Sequence, residues 1–398
     1  MKQETEADMK IVLTGGGSGG HITPLLAVAH EITQASPETE VIYIGQRGDG
    51  LADVPEADPN IDRVYTISAG KFRRYHGEGL RALLDIKTLC LNTRDFFRVL
   101  AGLWQSWRLL GSIKADIVFT RGGFVSVPVA LAARLRGIPY ITHDSDSVPS
   151  LANRIIARWA KLHAVALPAE LYPYPKDKTL TVGVPVNKNY IPVTAALREE
   201  YRGTLSLDGA DQVLLITGGG NGARDLNTVM IANVPFLLKR YPGLVVVHVA
   251  GRSLEKEVLT AYRKVVPAAD AGRVHVLGFA HNLYAYSAVA DVVIARGGAT
   301  NIAEFALQRK ACLIIPSPQL VWNVRNTEVL VKKKAVLKLN QLQAEQELRI
   351  AHTIIPLLDS SQKRQQLGER LGEFAYPDAA GTIAVLLLHK GERSSIGT

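Results

Sequence analysis

Cysteine is almost absent from these 398 residues: Cys90 and Cys312 stand far apart, without the spacing of a metal site. That excludes a disulfide framework and a thiolate metal centre, and it fits a reducing compartment. Long apolar runs are missing as well. None reaches the length that crosses a bilayer, and the polar, acidic stretch Met1 to Asp8 is unlike a secretory signal. No short repeat or low-complexity tract interrupts the chain. Acidic residues are in deficit, 37 against 46 basic ones, and the net charge of +9 calls for an acidic partner. Nucleic acid, a phosphorylated substrate and an anionic membrane all qualify on charge alone. The expectation is a cytoplasmic protein whose length suggests two domains, each with its own core.

What the chain does have is glycine, placed just after apolar runs. Ile11-Val-Leu-Thr14 leads into Gly15-Gly-Gly-Ser18-Gly19-Gly20-His21, and Pro24 then opens a helical pattern through Ile32. A strand, a glycine loop and a helix start in that order suit an anion, because backbone amides and the positive end of the helix dipole converge there. His21, where loop becomes helix, is a candidate general base near neutral pH. Gly15-x-Gly17-x-x-Gly20 meets the dinucleotide fingerprint in form, but that fingerprint also needs an acidic ribose ligand at the end of the second strand. Val41 to Ile44 ends instead in Gly45-Gln46-Arg47, which argues against nicotinamide or flavin chemistry. Two further strands of the first half, Asp116 to Thr120 and Pro139 to Thr142, empty into Arg121-Gly-Gly123-Phe-Val-Ser126 and His143-Asp144-Ser145-Asp146.

Near Gly183-Val-Pro-Val-Asn187 a boundary falls and the pattern restarts. Gln212 to Thr217 reads as a strand, Gly218-Gly219-Gly220-Asn221-Gly222 as a second glycine loop suited to a pyrophosphate, and Asp225 to Leu238 as the following helix. Ala290 to Ala295 leads into Arg296-Gly-Gly298-Ala299-Thr300, with Glu304 four residues into the next helix, in reach of two ribose hydroxyls. Strands alternating with helices in two similar halves predict an α/β protein with two Rossmann-like domains, their parallel sheets facing a cleft. The expected division is 9–186 and 187–376, with a last helix at about 377–392 packing back on the first domain.

On these motifs, with Pro128, Pro316 and Asn326, the chain resembles the MurG family of N-acetylglucosaminyltransferases over nearly its whole length. The resemblance implies the glycosyltransferase B fold and an inverting transfer of N-acetylglucosamine from UDP-N-acetylglucosamine to an undecaprenyl-pyrophosphate-linked muramoyl pentapeptide, turning lipid I into lipid II in peptidoglycan synthesis. No cofactor and no metal are expected, because no Asp-x-Asp pair stands where a nucleotide-sugar metal site would want one; Asp144 and Asp146 have the spacing but lie on the acceptor half. For the donor the resemblance points to Gly218, Gly219, Gly220, Asn221, Gly222, Ala280, Gly298, Ala299, Thr300, Glu304, Gln319 and Asn323. For the acceptor it points to Ser18, Gly19, Gly20, His21, Gly123, Ser126 and Asp146, and for catalysis to His21, Asp146 and Asp144. The family's His-Glu-Gln-Asn reads His143-Asp144-Ser145-Asp146 here, its Gly-Gly-Ser-Gln-Gly-Ala reads Gly218-Gly-Gly-Asn-Gly-Ala223, an expected linker arginine is Asn187, and its paired glutamines fall at about Trp322 and Asn323. These departures keep two alternatives open: a sibling enzyme using another UDP-sugar or lipid acceptor, and a non-catalytic nucleotide-sugar-binding protein.

One segment has a different character. From Lys71 to Lys114 nine basic residues, Arg73, Arg74, Arg94 and Arg98 among them, face three acidic ones, interleaved with Phe96, Phe97, Leu100, Trp104 and Trp107. That mixture suits an interfacial helix on an anionic membrane. No nucleic-acid-binding module accompanies it. The expected location is the cytoplasmic face of the plasma membrane, as a peripheral protein.

Overall fold

The computed structural model describes residues 9–16, 19–71 and 86–392, with the backbone alone at 19–21 and 86–88. Ser18, the His21 side chain and the basic residues of 72–85 therefore lie outside the described residues. The chain divides into two compact units, Met1–Asn187 with Asp378–Thr398, and Lys188–Pro377.

In the first unit, β1 (Lys10–Thr14), β2 (Glu40–Gln46), β3 (Arg63–Ile67), β4 (Ile117–Thr120), β5 (Tyr140–Asp144), β6 (Leu162–Val165) and β7 (Thr179–Thr181) form a parallel sheet ordered β3-β2-β1-β4-β5-β6-β7. In the second, β8 (Gln212–Thr217), β9 (Leu244–Val249), β10 (Val274–Leu277), β11 (Val292–Ala295), β12 (Cys312–Ile314) and β13 (Leu337–Lys338) are ordered β10-β9-β8-β11-β12-β13, again parallel. Central strands are buried on both faces, which is why Ile11-Val-Leu and Val213-Leu-Leu-Ile read as unbroken apolar runs and not as alternation. One face of the first sheet is covered by the helices Gly19–Ala35 and Ala379–Leu388, the other by Ile86–Ile113 and Ser126–Leu135. Arg224–Arg240 and Arg349–Leu358 cover one face of the second sheet, and residues of Ala299–Leu307 and Val321–Lys332 the other.

Strand order reverses between β1 and β4, and again between β8 and β11. In an open parallel sheet the loops leaving the strands at such a switch point splay apart and open a crevice at the carboxyl ends, where ligands bind. Thr14 pairs in register with Thr120, and Thr217 with Ala295. Each switch point therefore sets two glycine loops side by side.

One boundary differs from the sequence expectation. The first helix begins at Gly19 and takes Pro24 inside it, so His21 lies in its first turn and not at the end of a loop. Pro24 forgoes only one amide near the helix start, and Ile22, 1% exposed, anchors the turn in the core.

Candidate active site

At the first switch point the loop after β4 is set by Arg121, which is buried and donates to the Ser145 hydroxyl. Ser145 lies 3.4 Å from His143 Nδ1, and His143 Nε2 lies 2.9 Å from the Gly183 carbonyl. That carbonyl can only accept, so Nε2 carries the proton and Nδ1 is the acceptor. Burial, with the Arg121 charge adding to it, pushes the imidazole down to about 3. His143 is thus a neutral brace for its loop.

Asp144 was expected at the reaction centre; the structure places it inside. Tyr174 donates to its Oδ2 at 2.6 Å and the Ser150 amide to its Oδ1 at 3.3 Å. Burial raises its pKa, against those hydrogen bonds, and nearby Asp146 adds to the rise. Its geometry is that of a group holding the turn before the helix Leu151–Ile156. Ser126 is likewise fully buried, and its hydroxyl donates to the Gly122 carbonyl at 2.6 Å. It ties down the glycine loop from within. Gly123 and Asp146 are partly exposed, and the Asp146 backbone carbonyl accepts from Tyr172 at 3.1 Å. Gly19 and Gly20 open the first helix, so their amides belong to its N-terminal turn.

In the second unit, Gly218–Gly222 leaves β8 and ends at the helix Arg224–Arg240, whose N-cap residue Ala223 supplies no side-chain cap. Beside it, Gly298 caps the helix Ala299–Leu307, again without a side-chain cap. Two helix starts without side-chain caps at one switch point have the geometry that suits an anion. Arg296 deepens it. This guanidinium is buried beneath the loop, donates to the Ile315 carbonyl at 2.9 Å and to Gln341 Oε1 at 3.0 Å, and keeps its Nε without a hydrogen-bond partner. Burial lowers its pKa, opposed by Asp225, yet an arginine stays charged throughout the working range. It therefore puts a fixed positive charge behind the two loops.

Glu304 lies one turn into the second helix, half-buried, with the Tyr190 hydroxyl hydrogen-bonded to its carboxylate. Tyr190 is 7% exposed and packs edge-on against Tyr284. Asn323 is buried with its Oδ1 unpaired; its backbone carbonyl abuts Gly297, and Asn326 Nδ2 donates to the Gly297 carbonyl at 3.2 Å. Gln319 is exposed and accepts from Ser317 at 2.8 Å. Ala280 follows Phe279, whose ring is 37% exposed, lies under the Arg252 guanidinium at 4.6 Å, and borders the Gly220 turn. Sequence reasoning did not single out Arg296, Tyr190, Phe279 or Arg252. Arg296 reads in sequence only as the first residue of its glycine loop and Phe279 stands next to Ala280, which was their one signal; Tyr190 had none. No group of three metal-ligating side chains occurs among the described residues.

Two parallel Rossmann-like units, each opening glycine loops at its switch point, define the class: a two-domain protein of the glycosyltransferase B fold. The chain belongs to glycosyltransferase family 28, and within it to the MurG family. The family's N-terminal domain matches residues 11–165 and its C-terminal domain residues 213–383. A relative from Symbiobacterium thermophilum, named UDP-N-acetylglucosamine--N-acetylmuramyl-(pentapeptide) pyrophosphoryl-undecaprenol N-acetylglucosamine transferase, is 34% identical over 385 residues, 94% of this chain and 95% of its own. A relative of the same name from Pelobacter propionicus is 31% identical, covering 94% of this chain and 98% of its own. Among solved structures, Acinetobacter baumannii MurG superposes with a TM-score of 0.68 at 24% identity, over 96% of this chain and 99% of that one. A UDP-GlcNAc 2-epimerase from Neisseria meningitidis reaches 0.64 at 15% identity, over 96% and 100%. Such likenesses speak for the fold alone, and the epimerase shows that this fold is not confined to transferases. The activity class rests on the family.

Proposed function

We propose that the chain transfers N-acetylglucosamine from UDP-N-acetylglucosamine to undecaprenyl-pyrophosphoryl-muramoyl pentapeptide, the donor held by the second unit and the acceptor by the first. The observation that carries this reading is the second switch point: two uncapped helix starts, a buried arginine behind them and Glu304 one turn further on, in a chain 30–34% identical to transferases of that name. Gly218–Gly222 and Gly298–Thr300 cradle the diphosphate, Glu304 accepts from the ribose hydroxyls, and the Ala280 backbone lies by the uracil, with Phe279 as a wall. Asn323 and Gln319 serve the sugar. The acceptor hydroxyl attacks the anomeric carbon, the bond to the diphosphate oxygen breaks with inversion, and UDP leaves with the electron pair. Amides and Arg296 stabilise that charge in place of a metal. A base takes the hydroxyl proton. His21 or Asp146 fills that role, and Asp144 positions the turn that carries Asp146.

The helix Ile86–Ile113 is the surface offered to an anionic membrane. Phe97 is 63% and Trp104 60% exposed, with Phe96, Leu100 and Trp107 also turned outward, although Leu103 turns partly inward. No helix among the described residues is long and apolar enough to cross a membrane. Aromatic rings beside cations instead fit peripheral attachment at the headgroup level.

UDP release from UDP-N-acetylglucosamine, with and without the polyprenyl-linked acceptor, tests the reading, repeated in EDTA. Acceptor-dependent release that survives EDTA supports it. Release from a different UDP-sugar would favour the sibling enzyme, and none from any donor the non-catalytic protein. Glu304→Ala should cost on the order of 1.5 to 3 kcal/mol of UDP binding, a charged hydrogen bond's worth. Unchanged UDP affinity would overturn the ribose assignment.

A further inference from the structure

A cavity of about 310 Å³ opens in the first unit at the carboxyl ends of β2, β3 and β4, lined among others by Gln46, Asp49, Lys71, Arg94, Arg98 and Phe124. It adjoins the first glycine loop, because Asp49 Oδ2 lies 3.1 Å from where a Cβ on Gly16 would be. Its wall is rigid. The helix Ile86–Ile113 is seated so closely that a Cβ on Gly70 would overlap the Asp95 backbone, and a Cβ on Gly102 the Ser68 carbonyl. On that helix Arg94 and Arg98 stand one turn apart, oriented by the buried Asp95: Arg94 donates from Nε and Nη2 at 3.2 and 3.1 Å and Arg98 from Nη1 at 3.4 Å, all to the same Oδ1. A guanidinium has five N–H donors, so both present further donors to the cavity.

We propose that this cavity binds the peptide of the acceptor, taking peptide carboxylates on Arg94, Arg98 and Lys71 and an amine or amide on Asp49. The inference rests on the transfer reading for the identity of the acceptor. Charge pattern selects a peptide over a diphosphate. The glycine loops offer amides at helix starts, which suits a diphosphate, whereas this cavity is flanked by the middle of a helix and carries the Asp49 carboxylate, which would repel one. Three cations set against two carboxylates, Asp49 and Asp95, match a peptide, which offers a terminal carboxylate to the cations and amide N–H groups to the acids. A pocket of a few hundred Å³ lies at the lower end of small-ligand sites, room for part of a peptide.

The test compares two soluble probes by calorimetry on the full chain: a muramoyl pentapeptide and the same muramoyl sugar without peptide. Wild-type protein should bind the first at least tenfold more tightly. Arg98→Gln, which leaves Arg94 on Asp95, and Lys71→Gln, which leaves both arginines there, should each reduce that ratio by threefold or more, with thermal melting showing that the variants remain folded. A ratio unmoved by either variant, equal binding of both probes, or displacement of the pentapeptide by inorganic diphosphate would overturn the proposal. Peptide binding that persists in wild-type protein inactive towards every UDP-sugar would sustain the subsite and count against the transfer reading instead.

Discussion

Two glycines of the loop that leaves β8, three residues apart, should respond very differently to the same methyl group. Gly219 (φ +84°) and Gly222 (φ +72°) both occupy the left-handed region, where a side chain costs about 1 to 2 kcal/mol. A Cβ on Gly219 meets nothing within 4 Å, whereas one on Gly222 would overlap the Ala250 carbonyl oxygen. That oxygen is held in place: it accepts from Asn227 Nδ2 at 3.0 Å, Asn227 Oδ1 accepts from His248 Nε2 at 3.0 Å, and His248 Nδ1 accepts from Tyr262 at 2.8 Å, all buried. Moving Ala250 aside strains or breaks at least one such bond, worth about 1 kcal/mol, with more where a buried group is left unpaired. Gly219→Ala should therefore lose about 1 to 2 kcal/mol in urea unfolding, and Gly222→Ala about 2 to 4. The displaced loop should also bind UDP roughly tenfold more weakly or worse in Gly222→Ala, for loss of one charged hydrogen bond. Equal losses in stability and UDP affinity for the two variants would refute this account of the loop.

Acid should unfold the protein through its buried histidines. Burial holds His143 and His248 at about 3 and His163 at about 4, all below an unfolded value near 6.5. The unfolded chain then binds the extra protons, so stability is complete above pH 6.5 and falls as pH drops from 6.5 towards 3. At pH 4.5 the loss is about 2 to 3 kcal/mol for each of the two fully buried rings; a flat urea midpoint between pH 6.5 and 4.5 would show that they are not buried as described. Tyr190→Phe removes one hydrogen bond to Glu304 and should weaken UDP binding about threefold to tenfold by calorimetry; no change would mean that Glu304 needs no positioning. Trp104→Ser with Phe97→Ser should lower sedimentation with anionic vesicles, which should itself weaken with salt. Binding that is indifferent to salt and to both substitutions would place the membrane surface elsewhere.

Much of the fold could be read directly from the residues. Apolar runs closed by glycine loops announce buried parallel strands, and their recurrence after Asn187 announces a second unit of the same kind. The position of Glu304 was legible because it lies a fixed few residues beyond a glycine loop, and local helical geometry carries that spacing into space. The aromatics of the Ile86–Ile113 helix were foreshadowed by composition and helical spacing; which of them face outward depended on Gly70 and Gly102 seating the helix.

Other features were decided by contacts between distant segments. Asp144 reads as a catalytic candidate in sequence, yet Tyr174, 30 positions away, holds it as a buried anchor, and Gly183, 40 positions away, holds the neighbouring His143 as a neutral brace. Tyr190 reaches Glu304 from more than a hundred residues upstream, with no local pattern to mark it. Local sequence determined the strands, the glycine loops, the helix starts and the two-part plan, because hydrophobic period and backbone freedom act over a few residues. Only the tertiary structure decided which loops meet, since strand order sets the switch points, and which polar side chains face a ligand, since burial is imposed by whatever part of the chain packs over them.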